Sequence, residues 1–149
     1  MKLFVFGTLM SGYNANRILG DGATKVCDAH LEKHRMFNLG FPGLKYDPRT
    51  DKKVLGEIWD VPDANIRRVD EYEGTPHLFK RVLVDRELIP FNCWEYLRKE
   101  NTKDYEIQFE DLWMYEYQWD EGTQMPDEIL PNADGVVSYR NKHGYRNQR

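Results

Sequence analysis

The alternation of apolar and polar positions divides this chain into short strands, two helices and glycine-marked turns. Lys2 to Phe6 is apolar, aromatic and β-branched, and its length suits a buried strand. Gly7-Thr8-Leu9-Met10-Ser11-Gly12 breaks it, and Asn14 to Leu19 reads as a short helix closed by Gly20-Asp21-Gly22. From Thr24 to Leu31 the pattern alternates, with Cys27, Ala29 and Leu31 on one face and Asp28, His30 and Glu32 on the other. Phe41-Pro42-Gly43-Leu44 predicts a turn between apolar residues, and Asp47 to Asp51 a polar loop. Val54 to Val61 is a second clear strand, in which Leu55, Trp59 and Val61 share a side with Glu57. That phase makes Glu57 either an inward carboxylate or, as the plainer reading, an edge-strand or barrel-mouth residue.

The next segment carries the candidate chemistry. Pro62-Asp63 predicts a helix start, with Asp63 as the cap, and Gly74 followed by Pro76 ends the helix. Ile66, Val69 and Glu73 then fall on one face, while Glu71 points away to solvent. A carboxylate held against an apolar wall has a raised pKa, which is what a general acid/base requires near neutral pH. The alternative is that Glu73 is the frayed last residue of an ordinary helix. The Gly7–Gly12 loop has two readings as well: a plain turn, or a cradle whose glycines let backbone N–H groups meet an anion or carbonyl.

Further on, Phe79 to Glu87 alternates again, and 90–103 reads as an inserted loop or short helix with Phe91, Trp94 and Leu97 at helical spacing. Tyr105, Ile107, Phe109, Trp113, Tyr115, Tyr117 and Trp119 keep one phase, as one strand or as two broken at Glu110-Asp111. Such a stripe is either a stacking platform for a sugar or base, or core. The acids between Asp104 and Glu121 argue against nucleic acid. The rest predicts an irregular C-terminal wrap. Strands outnumber helices and no linker or repeat divides the chain. The expected architecture is one α+β domain over 1–149, a small mixed β-barrel with flanking helices and an insertion at about 90–103.

Composition narrows the function classes. With 40% hydrophobic, 13% aromatic and 31% charged residues in 149, the profile is that of an ordered soluble domain. No apolar run approaches a membrane span, and no signal peptide precedes Gly7, so a cytoplasmic protein without membrane partner is expected. Cys27 and Cys93 lie far apart and read as reduced thiols. His30 and His34 lack a third ligand nearby and read as surface histidines, so no metal is expected. The net charge of −4 provides no field for nucleic acid, and the basic end (Arg140, Lys142, Arg146, Arg149) reads as a solvated tail.

Three stretches occur in order: Phe4-Val5-Phe6-Gly7-Thr8-Leu9, Val54-Leu55-Gly56-Glu57-Ile58-Trp59-Asp60-Val61, and Val69-Asp70-Glu71-Tyr72-Glu73-Gly74 running on to Arg81. In that order and spacing the sequence resembles the gamma-glutamylcyclotransferase-like superfamily, in its AIG2-like branch. The ending His143-Gly144-Tyr145-Arg146-Asn147 resembles the tail of a member of that branch. The resemblance implies a barrel around one cavity and an enzyme that closes a γ-glutamyl amine or amide on itself, giving 5-oxoproline and a free amine without metal or organic cofactor. It implies Glu73 as the catalytic acid/base and Phe6, Gly7, Thr8 and Leu9 as the loop holding the glutamyl group. The family's loop tyrosine is Phe6 here and its strand tyrosine is Phe79, so Tyr72 or one of Tyr115 and Tyr117 is left to supply a hydroxyl; Tyr117 is counted with the substrate-binding set. The alternative function, on the same fold, is a non-catalytic protein that binds a small ligand. The oligomeric state and the leaving amine are not legible.

Overall fold

The computed structural model of the chain describes residues 1–90, 111–122 and 124–141. In chain order its strands are β1 (Lys2–Val5), β2 (Thr24–Glu32), β3 (His34–Asn38), β4 (Pro42–Tyr46), β5 (Lys53–Asp60), β6 (Phe79–Leu83), β7 (Leu112–Tyr117), β8 (Asp127–Glu128) and β9 (Val136–Val137). One α-helix, α1 (Ile66–Glu73), is joined by short 3₁₀ turns, among them Asn14–Leu19. The class is α+β.

β1 is buried along its whole length because it lies inside a sheet ordered β2-β5-β1-β7-β6, antiparallel to β5 and parallel to β7. β9 adds to the start of β5, beyond the reach of β1. β4, β3 and β8 make a second, antiparallel sheet. Leu3, Phe4, Leu31, Met36, Val54, Ile58, Val69 and Ile129 fill the core between these elements.

The expected barrel does not close. The larger sheet ends at β2 and β6, and no ladder joins it to the smaller one among the described residues. Where closure would bring β4 against the β6–β7 end, aromatic side chains stand between the strands. Phe41, Phe79 and Tyr117 pack with ring centroids 5.6–5.9 Å apart. Trp119 Nε1 donates to the Leu44 carbonyl at 2.8 Å. Rings interposed in this way keep the backbones beyond the roughly 4.8 Å spacing of a ladder.

Four local expectations are corrected. Residues 42–46 form strand β4 rather than a turn, which is tolerable because Pro42 is its first residue. His34 is buried, not on the surface: Lys33, at φ 60°, turns the chain into β3, and the His34 ring contacts the Glu32 carbonyl at 2.8 Å through Nδ1. β5 is flanked by β1 and β2, so Glu57 is not an edge residue. Asp63 does not cap α1; its carboxylate takes the N-terminal ammonium at 3.1 Å. The insertion beyond Pro90, with Phe91, Cys93, Trp94 and Leu97, lies outside the described residues, as do Tyr105, Ile107, Phe109 and the tail residues 142–149.

α1 is short, and its position comes from its neighbours. Ile66 and Val69 are buried, Asn65 Nδ2 donates to the Leu19 carbonyl at 3.0 Å, and Arg68 Nε donates to the Ile18 carbonyl at 3.0 Å. Gly74, at φ 67°, ends the helix in the left-handed conformation, and its N–H reaches back to the carbonyls of Asp70 and Glu71. This termination leaves Glu73 at the last helical position.

Candidate active site

The C-terminal end of α1 and the loop after β1 face one cavity of about 210 Å³. Phe6, Gly7, Thr8 and Leu9 form one wall; Tyr72 and Glu73 come from α1, Phe79 from β6 and Tyr115 from β7. Phe41 and Pro42 close the side next to the second sheet. The approach of that sheet explains one glycine: a Cβ on Gly7 would stand 2.7 Å from Pro42 Cγ.

Glu73 is half-buried, and among the described residues no hydrogen bond or ion pair holds its carboxylate. Removal from water raises the carboxyl to about 7. Glu71, two residues earlier, is exposed and pairs with Arg67 at 3.5 Å, so the helix separates the two acids as its periodicity requires. In the same lining, the N–H groups of Gly7, Thr8 and Leu9 donate to no acceptor among the described residues, although the Gly7 carbonyl accepts from Met10 N at 3.1 Å. Three uncommitted donors on the wall of a cavity are what an anionic or carbonyl oxygen requires.

Three hydroxyl-bearing residues line this cavity. Thr8 Oγ1 and Tyr72 Oη share a hydrogen bond of 2.8 Å that ties the loop to the helix. Tyr115 Oη donates to Asp70 Oδ1 at 2.7 Å, and Arg81 stands 3.7 Å from the other Asp70 oxygen. Burial and that hydrogen bond to Asp70 push the Tyr115 phenol up, so it stays protonated. Its hydrogen is committed to Asp70, and its lone pairs remain for a ligand. Tyr117 is not on the wall; its ring packs edge-on behind Phe79 at 5.7 Å and against Trp119 at 4.7 Å.

Behind the loop, Glu57 is 4% exposed and amply partnered. It accepts from Ser11 N at 2.6 Å, Ser11 Oγ at 2.5 Å and Trp59 Nε1 at 3.1 Å, and pairs with Lys25 at 3.1 Å. Arg140 adds an ion pair at 3.6 Å and donates to the Ser11 carbonyl at 2.6 Å. Burial would raise this carboxyl, but the Ser11, Trp59 and Lys25 donors outweigh it and hold it below the usual value. Glu57 therefore fastens the far end of the Gly7–Ser11 loop.

Glu73 and Phe6–Leu9, named from the sequence, line one cavity, and Phe41, Pro42 and Leu78, which sequence reasoning missed, line it too. Phe41 and Leu78 come from bends and Pro42 from the first position of β4, none of which carries a periodicity of its own. The pairing of Ser11 with Arg140 spans nearly the whole chain and leaves no local signal. Among the described residues no helix is long and apolar enough to cross a membrane, and no cluster of His, Cys, Asp or Glu could hold a metal ion.

Comparison with known proteins adds an independent view. The model of the family described as gamma-glutamyl cyclotransferase, AIG2-like, matches residues 3–124. Gamma-glutamylaminecyclotransferase from Bos taurus is 31% identical over 106 residues, covering 63% of this chain and 63% of its own length. The Homo sapiens protein of that name is 30% identical over 95 residues, covering 58% and 62% respectively. The chain thus spans about three fifths of these relatives. An AIG2-like protein from Mus musculus superposes with a TM-score of 0.55 at 17% identity, over 99% of this chain and 97% of that one, a likeness of fold.

Proposed function

The chain belongs to the gamma-glutamyl cyclotransferase, AIG2-like family, and from that premise we propose that it converts a γ-glutamyl amide to 5-oxoproline and a free amine, with Glu73 as general acid/base. What carries the reading is a carboxyl raised by burial to about 7, without partners among the described residues, in the same cavity as the Gly7–Leu9 amides, which are unused among those residues. In this reading the amides receive the oxygens of the glutamyl group. The Glu73 carboxylate takes a proton from the substrate α-ammonium, and the freed amine attacks the γ-carbonyl carbon. As the bond from that carbon to the leaving nitrogen breaks, the proton returns to the leaving nitrogen. Two protons pass in all from the α-nitrogen to the leaving amine, and a carboxyl poised near neutrality carries each in turn.

The ring closure is intramolecular with or without the protein, so holding the substrate curled gains only what freezing the few bonds between the α-amine and the γ-carbonyl would otherwise cost. The acid/base contributes roughly 10²–10⁴-fold more. The hydroxyls absent at Phe6 and Phe79 have replacements in this reading. The shared Thr8–Tyr72 hydrogen bond uses one of two hydroxyl hydrogens and leaves the other for substrate, and Tyr115 offers its lone pairs to the α-ammonium.

The test is 5-oxoproline release from a panel of γ-glutamyl amides by the wild type and by Glu73→Gln. The expected result is release by the wild type and its loss in a variant that remains folded. A panel that yields no product, while one of its members still raises the melting temperature, would establish the binding protein instead.

A further inference from the structure

We propose that the amide this site takes carries an apolar, ring-bearing or branched leaving amine, seated against Phe41, Pro42, Leu78 and Phe79. The proposal rests on the cyclotransfer reading and names its substrate class.

The cavity lining is of two kinds. The Gly7–Leu9 amides and the Glu73 carboxyl supply what a glutamyl group needs. Phe41, Pro42, Leu78 and Phe79 supply apolar surface. The scissile nitrogen must lie beside Glu73 to receive its proton, and Leu78 Cβ lies 3.1 Å from where a Cβ on the adjacent Gly74 would stand, so the substituent on that nitrogen meets the apolar lining. Among the described lining residues Glu73 is the sole charged side chain. A carboxylate on the leaving amine would lose water there and meet no cation. An ammonium would compete with the substrate's own α-ammonium for Glu73.

Part of the apolar lining is also braced by its neighbours. Phe41 and Phe79 pack at 5.6 Å with their planes 56° apart, and Tyr117 braces both, at 5.9 Å and 5.7 Å. A slot of locked rings loses little freedom when it takes a ligand, and it favours a further ring in tilted or edge-on contact. The wall reaches the surface, because Leu78 is 41% exposed and Tyr72 44% exposed. An amine of several carbons therefore continues to bury apolar surface out to the rim.

The experiment compares kcat/KM for 5-oxoproline release from the γ-glutamyl amides of methylamine, n-butylamine and benzylamine, with γ-glutamylglycine and γ-glutamyl-ε-lysine as charged counterparts. Along the alkyl series each newly buried methylene should raise kcat/KM about fourfold. The benzylamide should exceed the lysine conjugate by tenfold or more and the glycine conjugate by still more. Phe41→Ala, at a half-buried turn position, should lower kcat/KM at least tenfold more for the benzylamide than for the methylamide. A charged conjugate cleaved as well as the benzylamide overturns the proposal and leaves the cyclotransfer reading standing. An equal loss on both amides in Phe41→Ala likewise overturns it. Absence of 5-oxoproline from every amide overturns both.

Discussion

Glu73 and Glu128 are both carboxylates withdrawn from water, and their surroundings treat them in opposite ways. Glu128, 2% exposed, is gripped by Arg35 through two hydrogen bonds of 2.5 and 2.6 Å and by Lys52 at 3.0 Å. Burial would raise its carboxyl, but the Arg35 and Lys52 donors prevail and hold it at about 2. Glu73 has the desolvation without such partners among the described residues, and rises to about 7. Glu57 sides with Glu128: buried, saturated and depressed. Burial alone does not mark a reactive carboxylate; burial with the partners withheld does. The saturated pair hold structure together, at the junction of β3 with β8 and at the back of the Gly7–Ser11 loop.

The largest test of this contrast is catalytic. At pH 7, Glu73→Gln should reduce 5-oxoproline release by roughly 10²–10⁴-fold. Glu128→Gln, assayed below its melting temperature, should retain it. In the wild type kcat/KM should climb with pH through a midpoint at about 7, as Glu73 ionises in the free enzyme. A profile flat from pH 5.5 to 8.5 would remove Glu73 from the role of base.

Stability should separate the two acids by sign. Glu128 titrates in the fold at about 2 against an ordinary 4.5, so its contribution of about 3 kcal/mol is complete above pH 4.5 and is lost as pH falls toward 2. Glu128→Gln should therefore be less stable than wild type by about that amount at pH 6, with the gap closing in acid. Glu73 titrates at about 7 against the same ordinary 4.5, so the fold loses up to about 3 kcal/mol as pH rises from 4.5 to 7. Glu73→Gln should match wild type at pH 4 and surpass it at pH 8. Parallel melting curves across pH decide the matter, and two variants shifting in the same direction would refute the contrast.

What was legible in the sequence was whatever rests on local periodicity. The strands near 2–6, 24–31 and 54–61, the helix ending at Gly74 and the phase of Glu73 all follow from spacings of two or 3.6 residues. What escaped depends on what packs against each element. Alternation placed Tyr115 and Tyr117 together on an inner face, yet Leu112 and Met114 on the other face of β7 are buried too, so period-two reasoning cannot choose a side. Tyr115 reached the cavity and Tyr117 was left bracing Phe79 from behind. Closure into a barrel failed on the same contacts, since no pattern within one strand shows that rings from three segments will hold two sheets apart.

The smallest expected effect concerns how the site is held rather than what it does. Thr8 Oγ1 and Tyr72 Oη meet at 2.8 Å at an exposed position, the one side-chain hydrogen bond among the described residues that ties the Gly7–Leu9 loop to α1. An exposed neutral hydrogen bond contributes about 0.5–1 kcal/mol net, because water competes for both partners. Tyr72→Phe should therefore leave the melting temperature nearly unchanged. In the proposed reaction the loop it frees presents the amides to substrate, so KM should rise several-fold while kcat changes less. Thr8→Val should act alike, and the double variant should exceed either by less than the product of the two, because the shared bond is lost only once and what remains to remove is the hydroxyl hydrogen left for substrate. If the two effects on KM instead multiply, the hydroxyls serve the substrate separately, and the loop is held chiefly from behind, by Ser11 on Glu57.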